Sequence, residues 1–294
     1  KIKKMFVRDI LTSVRIPQWI KNCFVFAPLV FSQNIFNRPL LVRAAEAFLV
    51  FCILSGAAYL FNDLMDVEED RQHPRKSRRP LASGRLKKSH AALAAGGFAA
   101  VGLGWALGLN VRFFLAAAGF VLIQTLYSLW LKHVVIFDAF LIAAGFLLRV
   151  IAGALAIEVE ISAWLFICTV LLALFLALCK RRHELVFLEK EAESHRPILR
   201  EYSAGLLDQM IAVVTASTVI SYCLYTISGD TVAKFGTRNL VLTVPFVLYG
   251  IFRYLYLVHQ KDEGGSPESL IIRDKPLLVD VFLWVASAVL IIYV

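Results

Sequence analysis

Nine runs of apolar residues, at about positions 17–36, 40–62, 90–109, 113–131, 135–157, 162–182, 208–228, 240–258 and 276–294, constrain this chain more than any other feature. Each falls near the length of about 17 to 25 residues that an α-helix, rising about 1.5 Å per residue, needs to cross about 30 Å of hydrocarbon. The chain therefore reads as all-α: a polytopic transmembrane bundle of about nine helices, forming one integral membrane domain over residues 1–294. The residue balance agrees, because 59% of positions are hydrophobic and the mean hydropathy is +0.70, against about 45–50% apolar residues in soluble domains. Pro17, Lys21, Asn22 and Pro28 interrupt the first run, and no small-residue cleavage site precedes it, so it reads as a retained anchor.

Basic residues give the direction of crossing. Cytoplasmic loops of membrane proteins collect Lys and Arg, and with the N-terminus cytosolic 25 of the 31 basic residues fall on the cytosolic side. Two polar loops on that side, about 63–89 and 183–207, are long, and a third spans 260–275 around Gly264-Gly265-Ser266-Pro267, as a lid or a plain connection. The connections on the other side are short, which places function at the cytosolic face of a cell inner (plasma) membrane. The net charge of +9 then follows from topology and from anionic lipid or phosphate, and nucleic acid is not an expected partner. Each long loop follows an even-numbered run, which hints at duplication, although no sequence repeat is visible. Cys23, Cys52, Cys168, Cys179 and Cys223 all lie in expected spans and read as buried free thiols. Gly102, Gly104 and Gly108 read as small surfaces for helix packing. Arg149 lies within a span, three turns beyond Asp138 on the same face; it either lines a polar cavity with that residue or bonds backbone carbonyls.

The chemistry concentrates in the run Asn62-Asp63-Leu64-Met65-Asp66-Val67-Glu68-Glu69-Asp70. Asp63, Asp66 and Asp70 are spaced i, i+3, i+7, so a helix stacks their carboxylates on one face, where they repel unless cations neutralise them. Hard oxygen ligands of this kind suit Mg2+ bridging to a diphosphate, with Asn62 as an added ligand. The segment that follows carries Arg75, Lys76, Arg78 and Arg79. Those cations satisfy the topology rule, and they also suit bidentate binding of phosphate. A second group, Lys180-Arg181-Arg182-His183-Glu184, closes the sixth run, where cations also complement the helix dipole. Lys180, His183 and Glu184 share a face and Arg182 points elsewhere. Tyr127, Ser128 and Lys132 repeat the theme, as do Arg15, Gln18, Lys21 and Asn22 near the start, beside the interfacial Trp19.

These motifs resemble the UbiA superfamily of intramembrane prenyltransferases, whose first acidic motif reads NDxxDxxxD and is followed by a basic segment and RPLxSG. Here those are Asn62 to Asp70 and Arg79-Pro80-Leu81-Ala82-Ser83-Gly84. The resemblance covers most of the chain and implies a UbiA-like fold, a Mg2+ cofactor held by Asn62, Asp63, Asp66 and Asp70, and transferase chemistry. One departure matters. Ordinary members carry a second aspartate-rich motif where this chain has Lys180 to Glu184, and that substitution resembles the decaprenyl-phosphate phosphoribosyltransferase branch. The segments Arg15 to Asn22 and Ser266 through Pro276 resemble it too.

The branch implies transfer of a 5-phosphoribosyl group from phosphoribosyl pyrophosphate to a polyprenyl phosphate lipid, with a product that feeds cell-wall arabinan. On that reading Lys21, Asn22, Asn62, Arg75, Lys76, Arg78, Arg79, Tyr127, Lys132, Lys180, Arg182 and Glu184 bind substrate, with Asp63, Asp66 and Asp70 at the catalytic centre. A polyprenyl phosphate brings its own ionised nucleophile, so no general base is required. A conventional aromatic or quinone prenyltransferase would keep the fold and change both substrates. A transporter would explain the helices but not three same-face aspartates beside a basic run. An oligomer is compatible with all three readings.

Overall fold

The computed structural model describes residues 2–72, 74, 76–190, 201–261, 264, 265 and 267–294, without the side chains of 2–6, 187–190 and 268. Arg75 and residues 191–200 of the second polar loop therefore lie outside the described residues. Among those described, all regular structure is helical. The α-helices are α1 (Ile2–Val14), α2 (Ala27–Phe31), α3 (Arg38–Met65), α4 (Val67–Gln72), α5 (Lys88–Leu109), α6 (Val111–Leu129), α7 (Phe137–Ala156), α8 (Ala163–Lys190), α9 (Ala204–Ile227), α10 (Gly229–Phe235), α11 (Val244–Gln260), α12 (Pro267–Arg273) and α13 (Lys275–Tyr293).

Among the described residues, eight helices are long and apolar enough to cross a membrane: α3, α5 to α9, the stretch Asn239–Gln260 that contains α11, and α13. The protein is a multi-pass membrane protein. The ninth expected crossing, at 17–36, is not a continuous α-helix. It is a 3-10 segment over Ile16–Phe26 followed by the five-residue α2. Pro17 and Pro28 each remove a backbone donor and crowd the preceding turn, and apolar length alone did not outweigh them. This segment also leaves Cys23 exposed, whereas Cys52 and Cys179 are buried as expected. Among the described residues the polar loops carry helix: 63–89 contains the end of α3, all of α4 and a 3-10 turn at Lys76–Arg78, α8 runs on to Lys190, and 260–275 contains α12.

The chain divides into two compact units, Lys1–Leu29 with Ile35–Glu160, and Val30–Asn34 with Ile161–Val294. In the first, α3 packs against α5, α6 and α7, and the 3-10 segment lies against α3 and α7. Phe51 on α3 meets Phe120 on α6 at 5.1 Å between ring centroids, within a core that includes Val50, Leu54 and Phe113. Two glycines permit close packing, Gly153 against a backbone and Gly102 against a side chain. A Cβ on Gly153 would sit 2.1 Å from the Val25 carbonyl oxygen, and one on Gly102 would sit 2.5 Å from Leu54 Cδ2. Gly104 and Gly108 face open space, so the packing expected of all three glycines holds for Gly102 alone.

Arg149 of α7 is buried in this unit, and its neighbours answer the question its position raised. Its Nε donates to Asn22 Oδ1 at 2.7 Å, its Nη1 to the Gly145 carbonyl at 2.7 Å and its Nη2 to Ser55 Oγ at 3.2 Å. The guanidinium carbon lies 4.6 Å from the Phe120 ring centroid. Asn22 also accepts from Ser55 Oγ at 3.1 Å and points its amide nitrogen at Cys52 Sγ. Asn22, expected at a phosphate site, is here bonded within the Arg149 network, to Arg149, Ser55 and Cys52.

In the second unit α8 packs on α9, and α11 packs on α9 and α13. A directed chain of bonds ties three of its elements: Trp284 Nε1 to Tyr222 Oη at 2.9 Å, Tyr222 to Thr243 Oγ1 at 2.6 Å, and Thr243 to the Leu240 carbonyl at 2.6 Å. Asp274 caps α13 by accepting from the Leu277 amide at 2.9 Å, and it takes two bonds from Arg253, at 3.1 and 2.8 Å. The Arg253 bonds hold this carboxyl below its ordinary range. A carboxyl whose pKa is lower folded than unfolded adds stability above the unfolded value, and that stability is lost as pH falls through the folded one. Asp274→Asn keeps a cap but no charge. We expect it to melt below the parent protein at pH 7, with the gap closing below about pH 4, in thermal unfolding followed in detergent micelles.

Candidate active site

The acidic run does not form one uninterrupted ladder. Helix α3 ends at Met65, and Asp66 takes the cap position with φ −93° and ψ 8° before α4 begins. The hydrogen-bond register nevertheless carries through, from the Asp66 amide to the Asn62 carbonyl at 3.0 Å and from the Asp70 amide to the Asp66 carbonyl at 2.8 Å. The three carboxylates thus stay together across the bend, and all are buried, at 2–3% exposure.

Each is paired with a cation from elsewhere in the first unit. Asp63 is bonded by Arg15 and by Arg79 Nη1, the latter at 3.1 Å. The same Arg79 nitrogen lies 2.5 Å from Asp70, with Lys76 Nζ 3.9 Å away from that carboxylate. Asp66 is bonded by the buried Lys132 and by Asn62 Nδ2 at 2.9 Å, while Asn62 Oδ1 accepts from Ser128 Oγ at 3.2 Å. Three carboxylates therefore meet four cations, and the local balance is positive. That balance suits a polyanion larger than the carboxylates themselves.

The turn after α4 explains how Arg79 is aimed. Leu81 and Leu86 are buried in one cluster with Ala91 and Ala95 of α5, Ser83 Oγ donates to the Arg79 carbonyl at 2.7 Å, and the Leu86 amide bonds the Pro80 carbonyl at 2.9 Å. Gly84 adopts φ +75°, a conformation open to glycine and strained for other residues. Two further left-handed residues flank the site, Arg15 at φ +56° and Ile136, shortly after Lys132, at φ +68°. Such strain in non-glycine residues, one of them β-branched, persists where the surroundings over-determine it, and it clusters at functional sites.

Of the residues read from sequence, the structure brings Asn62, Asp63, Asp66, Asp70, Lys76, Arg79 and Lys132 together. Arg78 is exposed, with its carbonyl accepting from Arg85 at 2.9 Å. Tyr127 is half-buried on α6 beside Ser128, and Lys21 is half-buried on the 3-10 segment. Lys180, Arg182 and Glu184 lie in the second unit, in a cluster of their own. Buried Arg181 donates to Glu184 at 2.5 Å, Lys180 approaches the same carboxylate at 4.0 Å, and Arg182 pairs with Asp208, which His259 also meets at 3.2 Å. The Gly264 amide donates to His183 Nδ1 at 3.1 Å, so the third polar loop returns onto the end of α8. The sequence reading named Arg181 within its run without a role and missed Asp208 and His259. Ionisable residues at the edges of apolar runs were the available signal.

A family model described as the UbiA prenyltransferase family matches residues 23–286. The chain belongs to that family. It is 32% identical to the decaprenyl-phosphate phosphoribosyltransferase of Corynebacterium glutamicum, over 99% of this chain and 89% of that protein. It is 30% identical to the enzyme of the same name from Mycolicibacterium smegmatis, over 97% and 92%. Among solved structures, a UbiA homologue from Archaeoglobus fulgidus bound to GPP and Mg2+ superposes with a TM-score of 0.74 at 20% identity, covering 97% of this chain and all of that one. This UbiA member is thus a membrane-embedded transferase with a recognised helical fold. Divalent metal has been seen in that structure, and the donor set here fits such an ion in kind: buried carboxylate oxygens, two of them within reach of one guanidinium nitrogen. Among the described residues no three carboxylate, His or Cys groups converge on one point as placed, because each aspartate is turned onto a cation.

Proposed function

We propose that the protein transfers the 5-phosphoribosyl group of phosphoribosyl pyrophosphate to a polyprenyl phosphate, in a Mg2+-dependent reaction at the cytosolic face of the plasma membrane. The product would serve as a lipid-linked precursor of cell-wall arabinan. The observation that carries this reading is the excess of cations at both polar clusters, above all Lys180 to Arg182, which occupy the place of a second acidic motif. Two ligands that each bear phosphate need that charge. The named relatives, matched along nearly their whole length, support it.

On this reading Asp63, Asp66 and Asp70, with Asn62, hold Mg2+, which when bound supplies positive charge to the diphosphate leaving group. Arg79 and Lys76 exchange their carboxylate partners for diphosphate oxygens as the donor enters, and Lys132 does the same from Asp66. The carboxylates that gave up these cations would then be free to serve as metal ligands, and the cations keep an anionic partner, so neither is left as an unpaired buried charge. A phosphate oxygen of the lipid attacks the ribose C1 carbon while the bond from C1 to the pyrophosphate oxygen breaks. Pyrophosphate leaves with the bonding pair, and the basic residues stabilise its growing charge. In the second unit Lys180 and Arg182 bind a substrate phosphate, oriented by Glu184 and Asp208. Membranes containing the protein, supplied with labelled phosphoribosyl pyrophosphate, polyprenyl phosphate and Mg2+, should yield a lipid-linked ribose phosphate. Chelating the metal should abolish it, and absence of that product with metal present would overturn the proposal.

A further inference from the structure

Helix α1 is fixed on one side and unpartnered on the other. Its inner face carries Asp9, Ser13 and Val14, all buried; Asp9 pairs with Arg85 at 3.7 Å, and Val14 packs where a Cβ on Gly56 of α3 would sit 2.8 Å away. Its outer face presents Val7 and Leu11, one turn apart and about half exposed, and the stripe continues into Ile16 and Ile20. A helix with an apolar outer stripe and interspersed cations lies in the plane of a membrane interface.

A cavity of about 490 Å³ opens on that face, with Arg8, Thr12, Arg15 and Gln18 as its polar wall and Leu11 and Ile16 among its apolar residues. Arg15 belongs to two places at once. Its left-handed backbone turns the chain from α1 into the 3-10 segment, and its guanidinium reaches Asp63 while stacking 5.0 Å from the Tyr59 ring centroid. The cavity and the acidic site therefore share one residue.

We propose that this cavity binds the acceptor lipid, with its phosphate between Arg8 and Arg15 and its isoprenoid chain leaving along Leu11 and Ile16 into the bilayer. The assignment rests on the phosphoribosyl transfer proposed above for the identity of the lipid. Two guanidiniums match a phosphate monoester in bidentate fashion, and the adjoining apolar stripe fits a ligand that carries a long hydrocarbon tail, which the ribosyl donor lacks. Arg15 then positions the lipid phosphate toward the acidic site when it leaves Asp63.

The test uses the full chain in phosphatidylcholine nanodiscs and a fluorescent polyprenyl phosphate, titrated without Mg2+ or donor. Arg8→Gln should weaken binding about tenfold, Arg8→Lys should recover part of it, and binding of the corresponding unphosphorylated polyprenol should not change. In turnover, Arg8→Gln should raise KM for the lipid phosphate by a similar factor and leave KM for phosphoribosyl pyrophosphate in place. Arg8 is exposed, and a thermal midpoint matching the parent verifies that the variant folds. Unchanged lipid binding, a shift in the donor KM instead, or displacement of the probe by a tenfold excess of phosphatidylglycerol would each overturn the proposal. Arg8-dependent lipid binding by a parent protein that makes no product from phosphoribosyl pyrophosphate would refute the transfer reaction and leave the cavity assignment standing.

Discussion

Asp66→Asn should lower product formation by about 100- to 1,000-fold, the scale seen when one preorganised electrostatic group is removed from a reaction centre. The substitution is nearly isosteric and keeps an oxygen that can accept from Asn62 Nδ2, so the local bonding changes little. It deletes a charge. Lys132, which is 7% exposed and bonded to Asp66, is then left as a buried cation without its anion. Breaking a buried pair in this one-sided way costs about 3–5 kcal/mol, so the single variant should also unfold more easily. Activity and stability are separable through the partner. Asp66→Asn combined with Lys132→Gln removes both charges, and it should recover most of the thermal stability while leaving turnover as low as in the single variant. Recovery of turnover in the double variant would mean that Asp66 serves only to neutralise Lys132, and the metal assignment would fall with it.

That pairing also shows what a sequence can and cannot disclose. The spacing of Asp63, Asp66 and Asp70 announced a shared face, and the face exists, because helical register depends only on near neighbours. The bend at Asp66 was not legible, since neither proline nor glycine marks it. Still less legible was the choice of Lys132, 66 residues away, as partner to Asp66, because α6 must be folded against α3 before the two meet. The broken first crossing is the opposite case. Pro17 and Pro28 stand in the sequence as interruptions, and their missing backbone donors, rather than the apolar length of the run, decide its structure. Arg182 with Asp208 and His259 combines both difficulties: the cation stood out, and its partners come from α9 and α11. Short-range chemistry was readable, and long-range neutralisation was not.

The same reasoning carries the second large effect, at Asn22. Asn22→Leu should destabilise the protein by about 2–4 kcal/mol, because it withdraws an acceptor from the buried guanidinium of Arg149. Arg149 would retain the Gly145 carbonyl, Ser55 and the faces of Phe120 and Phe146, which is why the expected loss lies below that of a wholly abandoned charge. Replacing Arg149 by Met in the Asn22→Leu background removes the stranded charge and leaves an apolar contact of similar length. A large part of the loss should then return, so the two substitutions will be strongly non-additive in a double-mutant cycle followed by thermal unfolding. Additive losses would mean that Asn22 and Arg149 act independently. The cycle also decides between the two roles open to Asn22. A residue that binds a phosphate group would change KM in variants that fold normally, whereas one that completes the Arg149 network changes stability first, and its effect depends on whether Arg149 is present.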